Sequence, residues 1–115
     1  MDLAGDRAAL AAALSNAPGV TGYQFRPGTK QLQAGDAWPL LGVMDRGPGL
    51  VFEATWRVLV ALPTGPKEAS EWVDAHTEDI VDALTPVAFV DRIEPVTIPD
   101  GDTDRYALQF TVRSE

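Results

Sequence analysis

One histidine, three serines and a spaced set of aspartates are the side chains of this sequence whose types could do chemistry. A general base must reach a nucleophile or an activated water. His76 sits instead at an angle that centres it on the apolar face of a helix, near Trp72, Val73 and Ile80, which reads as a packed imidazole hydrogen-bonded to a sheet or to a partner subunit. Ser15, Ser70 and Ser114 lie in no nucleophile-elbow pattern, and capping or turn roles suffice for two of them. Asp100, Asp102 and Asp104 alternate like the start of a calcium loop. The glycine, however, stands second rather than sixth, and the twelfth position is Thr111 rather than a bidentate acid, so the segment reads as a solvated acidic turn. One histidine without any cysteine is too few for a zinc site within one chain. Gly47-Pro48-Gly49 and Gly65 lack the lysine and spacing of a phosphate loop and read as turn glycines. The expectation is a protein with no catalytic residue, no cofactor and no metal: not an enzyme.

The chain of 115 residues has the length of one domain. With no cysteine, it must hold by packing rather than by disulfides, which fits cytoplasmic folding. A net charge of −8, spread along the sequence, repels phosphate and argues against gripping nucleic acid. No apolar run approaches the roughly 20 residues of a transmembrane helix. Asp2, Asp6 and Arg7 interrupt the alanine-rich start where a signal peptide would need a basic end and an apolar block, so a soluble protein is expected.

The elements that must position these residues follow from periodicity. Asp2 to Ser15 predicts a helix with a thin stripe of Leu3, Leu10 and Leu14, ended by Ala17-Pro18-Gly19. Val20 to Arg26 reads as a short strand, and Pro27 to Gly35 as an exposed, turn-rich loop anchored by Leu32. Trp38 to Met44 is an apolar run bounded by turns, read as a strand that is central or buried on both faces. From Leu50 to Leu62, Phe52, Ala54, Trp56, Val58, Val60 and Leu62 share one face, while the other face changes from polar to apolar. A strand of that length spans about 40 Å, so its first half is expected to project as a hairpin with the Trp38 strand.

After Pro63-Thr64-Gly65-Pro66 the period changes from two to about 3.6. Ala69, Trp72, Val73, His76, Ile80, Ala83 and Leu84 line one side of a helix whose opposite side carries Glu68, Glu71, Asp74, Glu78 and Asp82. Val87 to Ile98 predicts a strand at an edge or with a bulge, because Pro95 cannot donate to a ladder. A turn at 99–102 leads to a last alternating strand with Tyr106, Leu108, Phe110 and Val112 on one face. The predicted order is α-β-β-β-α-β-β: an α+β single domain over residues 1–115, with a mixed or antiparallel sheet of four to five strands and two helices on one face.

Surface work remains where chemistry is missing. Candidate subunit-interface residues are Leu50, Val51 and Phe52 beside a glycine-rich tip, with Trp38, Arg57 and Pro95. The carboxylates Glu68, Glu71, Asp74, Glu78 and Asp82 read either as a solvated helix face or as the lining of a channel that repels DNA phosphates and lets the duplex slide.

The Trp38-Pro39-Leu40-Leu41-Gly42-Val43 strand and the Thr55-Trp56-Arg57-Val58-Leu59-Val60-Ala61-Leu62-Pro63 strand carry a family likeness. With them go the first helix, the Ala69 to Leu84 helix bearing Trp72, and the final Tyr106 to Val112 strand. In their order and spacing these elements resemble the tail terminator proteins of long-tailed bacteriophages, or siphophages. The alanine-rich start and Gly35-Asp36-Ala37-Trp38-Pro39 look like those of actinobacterial phages.

The resemblance implies a structural virion protein, assembled in the host bacterial cytoplasm. It would form a homo-hexameric ring on the tail tube protein, stop tail growth, and offer its other surface to the head completion or neck protein. Genomic DNA would pass through the lumen without sequence-specific binding, and no membrane would be involved. The alternatives are another head-tail connector component (a head closure or tail completion protein) or a small α+β ligand-binding or enzyme domain. The last would need a pocket with convergent polar groups.

Overall fold

The computed structural model describes residues 2–28, 31–46 and 52–114. Two helices lie on one face of a five-stranded mixed sheet. In chain order the elements are α1 (Leu3–Leu14), β1 (Thr21–Gly22), β2 (Asp36–Arg46), β3 (Phe52–Ala61), α2 (Pro66–Leu84), β4 (Phe89–Asp100) and β5 (Thr103–Ser114). Across the sheet the strands run β1-β2-β3-β5-β4; β1 and β2 are parallel, and every other pair is antiparallel. This is the expected α+β order.

The period-two pattern of β3 explains its central place. Ala54, Trp56, Val58 and Val60 are fully buried toward the helices, and they meet Phe110 and Val112 of β5 in register. Leu10 and Leu14 of α1, with Ile80 and Leu84 of α2, close this core from above. Fully burying each such side chain contributes about 1.5–3 kcal/mol. Asp2 caps α1 by accepting from the Gly5 N–H at 2.9 Å. Arg7 of α1 lies over both the Trp56 and Phe25 rings, 5.4 and 4.9 Å from their centroids.

The opposite face of the sheet has a smaller core of its own. Leu32 packs there with Trp38, Leu59, Ala61, Ile98 and Ala107. Arg105, nearly buried, holds the Leu32 segment down. Its guanidinium donates to the carbonyls of Leu32 and Leu62, 2.9 Å in the latter case, and lies 3.5 Å from the Asp100 carboxylate. Arg26 crosses over the Trp38 ring and donates to the Pro99 carbonyl.

Two local expectations change. The strand predicted over Val20 to Arg26 shrinks to Thr21–Gly22, because Phe25 turns to Arg7 and Arg26 reaches to the far face. The Trp38 strand is buried only over Ala37, Trp38 and Pro39 and runs out into solvent beyond Leu41, since β1 covers just its start. The loop after Pro27 keeps its expected anchor: Leu32 is buried while Gln31, Gln33 and Ala34 are exposed.

The sheet's outer strand is sealed against extension. Pro95 and Pro99 are four residues apart, so both ring nitrogens face the same side of β4, and the ladder to β5 continues through both. That side is therefore the outer edge, where two N–H donors are missing. The expected bulge also occurs, but at the Val90/Arg92 register shift rather than at Pro95.

Candidate functional site

The β2–β3 hairpin outruns the sheet. Among the described residues the last rung joining β3 to β5 is Ala54↔Ser114, yet β2 and β3 remain paired through Asp45↔Glu53 and Arg46↔Phe52. A register shift between Leu41 and Val43 leaves Gly42 as the extra residue where the hairpin leaves the body. Residues paired across a ladder share a face, so Arg46 and Phe52 form one side of the projecting rungs, continued by Met44 opposite Ala54, and Asp45 and Glu53 form the other. Met44 and Phe52 are 47% and 41% exposed, and the Arg46 guanidinium lies 5.1 Å from the Phe52 ring centroid.

At the other end of the strands, α2 leaves part of the sheet uncovered. A groove of about 410 Å³ opens there, floored by Leu62, Leu108, Tyr106 and Pro95 and walled by Pro66, Ala69 and Val73 of α2. Its other side chains are Ser70 and Asp74. The lining is mostly apolar and carries a single charged group.

The predicted site residues distribute as follows. Phe52 stands on the hairpin and Pro95 in the groove; Arg57 is exposed on the open part of the second sheet face, opposite Leu40. Trp38, a candidate for core or interface, is core: it is 2% exposed beneath Arg26 and Leu32. Leu50 and Val51, like Gly47-Pro48-Gly49, lie outside the described residues.

Glu68, Glu71, Asp74, Glu78 and Asp82 are all exposed along α2. Glu71 makes a 3.7 Å contact with Lys67, at a level of exposure where such pairs contribute little. Glu68 curls back over the helix start, where its carboxylate favours the positive end of the macrodipole. A Cβ on the N-cap Gly65 would lie 2.0 Å from Glu68 Oε2, so the glycine makes room for the acid. The other carboxylates of this stripe have no such local role.

His76 is half-buried. Its ring stacks on Trp72 with centroids 4.0 Å apart and planes 15° apart. Nδ1 lies 2.8 Å from the Trp72 carbonyl, which can only accept, so the proton is on Nδ1. Nε2 faces Gly19, 3.0 Å from where a Cβ would stand. Ser15 Oγ accepts from the Gly22 N–H, and Ser114 Oγ bonds Trp56 and Asp6. Asp100 turns inward to Arg105, while Asp102 and Asp104 stay exposed. Among the described residues no group of three or more His, Asp or Glu side chains is placed to hold a metal ion. No helix among them is long and apolar enough to cross a membrane.

Sequence reasoning missed the groove. Pro95 and Asp74 were each singled out, on different elements and for different reasons, and only the crossing of α2 over the β4–β5 pair brings them to one surface. No protein-family model matches the chain, and no curated protein sequence matches it.

Proposed function

We propose that this chain is an assembly subunit of a phage virion, a tail terminator that forms a ring at the head-tail joint and ends tail-tube growth. The observation that carries the reading is the β2–β3 ladder, which continues two rungs past the last described β3–β5 rung, with Arg46 and Phe52 exposed on it and Met44 exposed beside them. A two-stranded projection is marginal alone in water, and apolar side chains held out on it gain stability when another surface covers them. The α-β-β-β-α-β-β order adds support, since it agrees with the family likeness of the sequence. The acidic stripe of α2 fits a lumen through which DNA passes without adhering, because carboxylates and phosphates repel.

In this reading the partners are copies of the chain, the tail tube protein and a neck protein, and the work is done by surfaces alone. Deleting the gene from the phage that encodes it is expected to give overlong tails. Normal-length tails without heads would instead assign the chain to head closure, and tails unchanged in length and attachment would sink the proposal.

A further inference from the structure

The projecting tip and the apolar groove lie at opposite ends of the same strands. Ten residues of extended chain, about 34 Å, separate Phe52 at the tip from Leu62 at the groove, in a molecule 46 Å long. They cannot meet within one chain. We infer that they meet between chains: the Met44, Arg46 and Phe52 side of one copy seats in the groove of the next, with Arg46 facing Asp74. The inference rests on the ring reading and names the contact that would build it.

Three features select a second copy as the occupant. The chemistry matches, since Met44 and Phe52 are apolar and the groove offers Leu62, Val73 and Leu108. The charges match, one cation on the tip against one carboxylate in the groove; neither Arg46 nor Asp74 has an ion pair among the described residues. The tip's other side, with Asp45 across from Glu53, would be repelled by Asp74.

The tip also does not suit itself, because the side that carries Arg46 offers no carboxylate to a second Arg46. A patch that fits a different patch at the far end repeats head to tail, and such contacts close into rings when the rotation allows. The β4 edge, short of donors at Pro95 and Pro99, leaves this contact to side chains rather than to strand addition.

The absence of cysteine from the sequence makes the test clean. Met44→Cys and Ser70→Cys are introduced together, and the purified protein is bridged at high concentration with a short bis-maleimide. Both positions are exposed, and circular dichroism checks that the fold is kept. The double variant is expected to give a ladder of covalent multimers, with each single variant giving no species beyond a dimer. Arg46→Glu should lower the multimer yield at least about tenfold, as for a residue central to an interface. Adding Asp74→Arg to that variant should restore it.

No ladder from the double variant, while the unaltered protein still sizes as a ring, overturns the docking and leaves the ring reading standing. A ladder together with unchanged tails on gene deletion keeps the docking and removes the terminator reading. A monomer at every concentration, with no ladder, overturns the docking.

Discussion

Trp56 Nε1 donates to Ser114 Oγ at 2.9 Å inside the core, and that hydroxyl donates in turn to Asp6 Oδ2 at 3.0 Å. The chain's central strand, its last strand and its first helix are thus joined by two consecutive hydrogen bonds. The indole N–H is buried with Trp56, so it has no water to turn to.

Ser114→Ala is therefore expected to cost about 1–3 kcal/mol, the penalty of a buried donor left unsatisfied. Urea unfolding followed by tryptophan fluorescence measures it. Ser114→Thr keeps the hydroxyl and should recover most of the loss; equal losses from both variants would show that packing, not the hydrogen bond, matters there.

Arg105→Ala is expected to be more damaging, about 3–5 kcal/mol, because it strands a nearly buried Asp100 without its cation. It also removes the donors for the Leu32 and Leu62 carbonyls. Amide exchange should rise first over residues 31–36, ahead of the α-helical face. Uniform loss of protection would contradict the role of this arginine as a local clasp.

Gly35 has φ of 92°, and a Cβ there would lie 2.2 Å from the Gly19 carbonyl oxygen. Gly35→Ala combines a left-handed backbone with a clash against main chain, so a loss of at least about 2 kcal/mol is expected in thermal or urea unfolding. Gly28→Ala, where a Cβ meets nothing within 4 Å, is the control and should be nearly neutral.

Replacing Glu68, Glu71, Glu78 and Asp82 with lysine should convert a DNA-repelling helix face into an adhesive one. Gel-shift assays at low salt are expected to show duplex binding that fades as salt rises, the mark of phosphate contacts. The unaltered protein should leave DNA unshifted. Tight binding by the unaltered chain would remove the argument for a non-adhesive lumen.

Much of the architecture is written in periodicity. The alternation of Ala54, Trp56, Val58 and Val60 gives both the strand and its buried face, and Ala69, Ile80 and Leu84 give the buried side of α2. What sequence could not give depends on contacts between distant segments. Tyr23 and Phe25 have strand-like spacing, yet both are exposed in a segment that Arg7 and Trp38 draw around the sheet edge. Trp38 could be placed only once Leu32 and Arg26 were seen above it. For the site, the tip was legible because the alternating run from Leu50 to Leu62 is longer than an ordinary strand, whereas the groove is a gap between α2 and β4, and a gap leaves no residue pattern.

The two outward-facing prolines of β4 bear on how this protein stays out of aggregates. An assembly subunit must associate readily, and a free strand edge would let it do so without limit, by templated fibril growth. With Pro95 and Pro99 interrupting that edge, backbone-driven polymerisation has no starting point on the β4 side of the sheet.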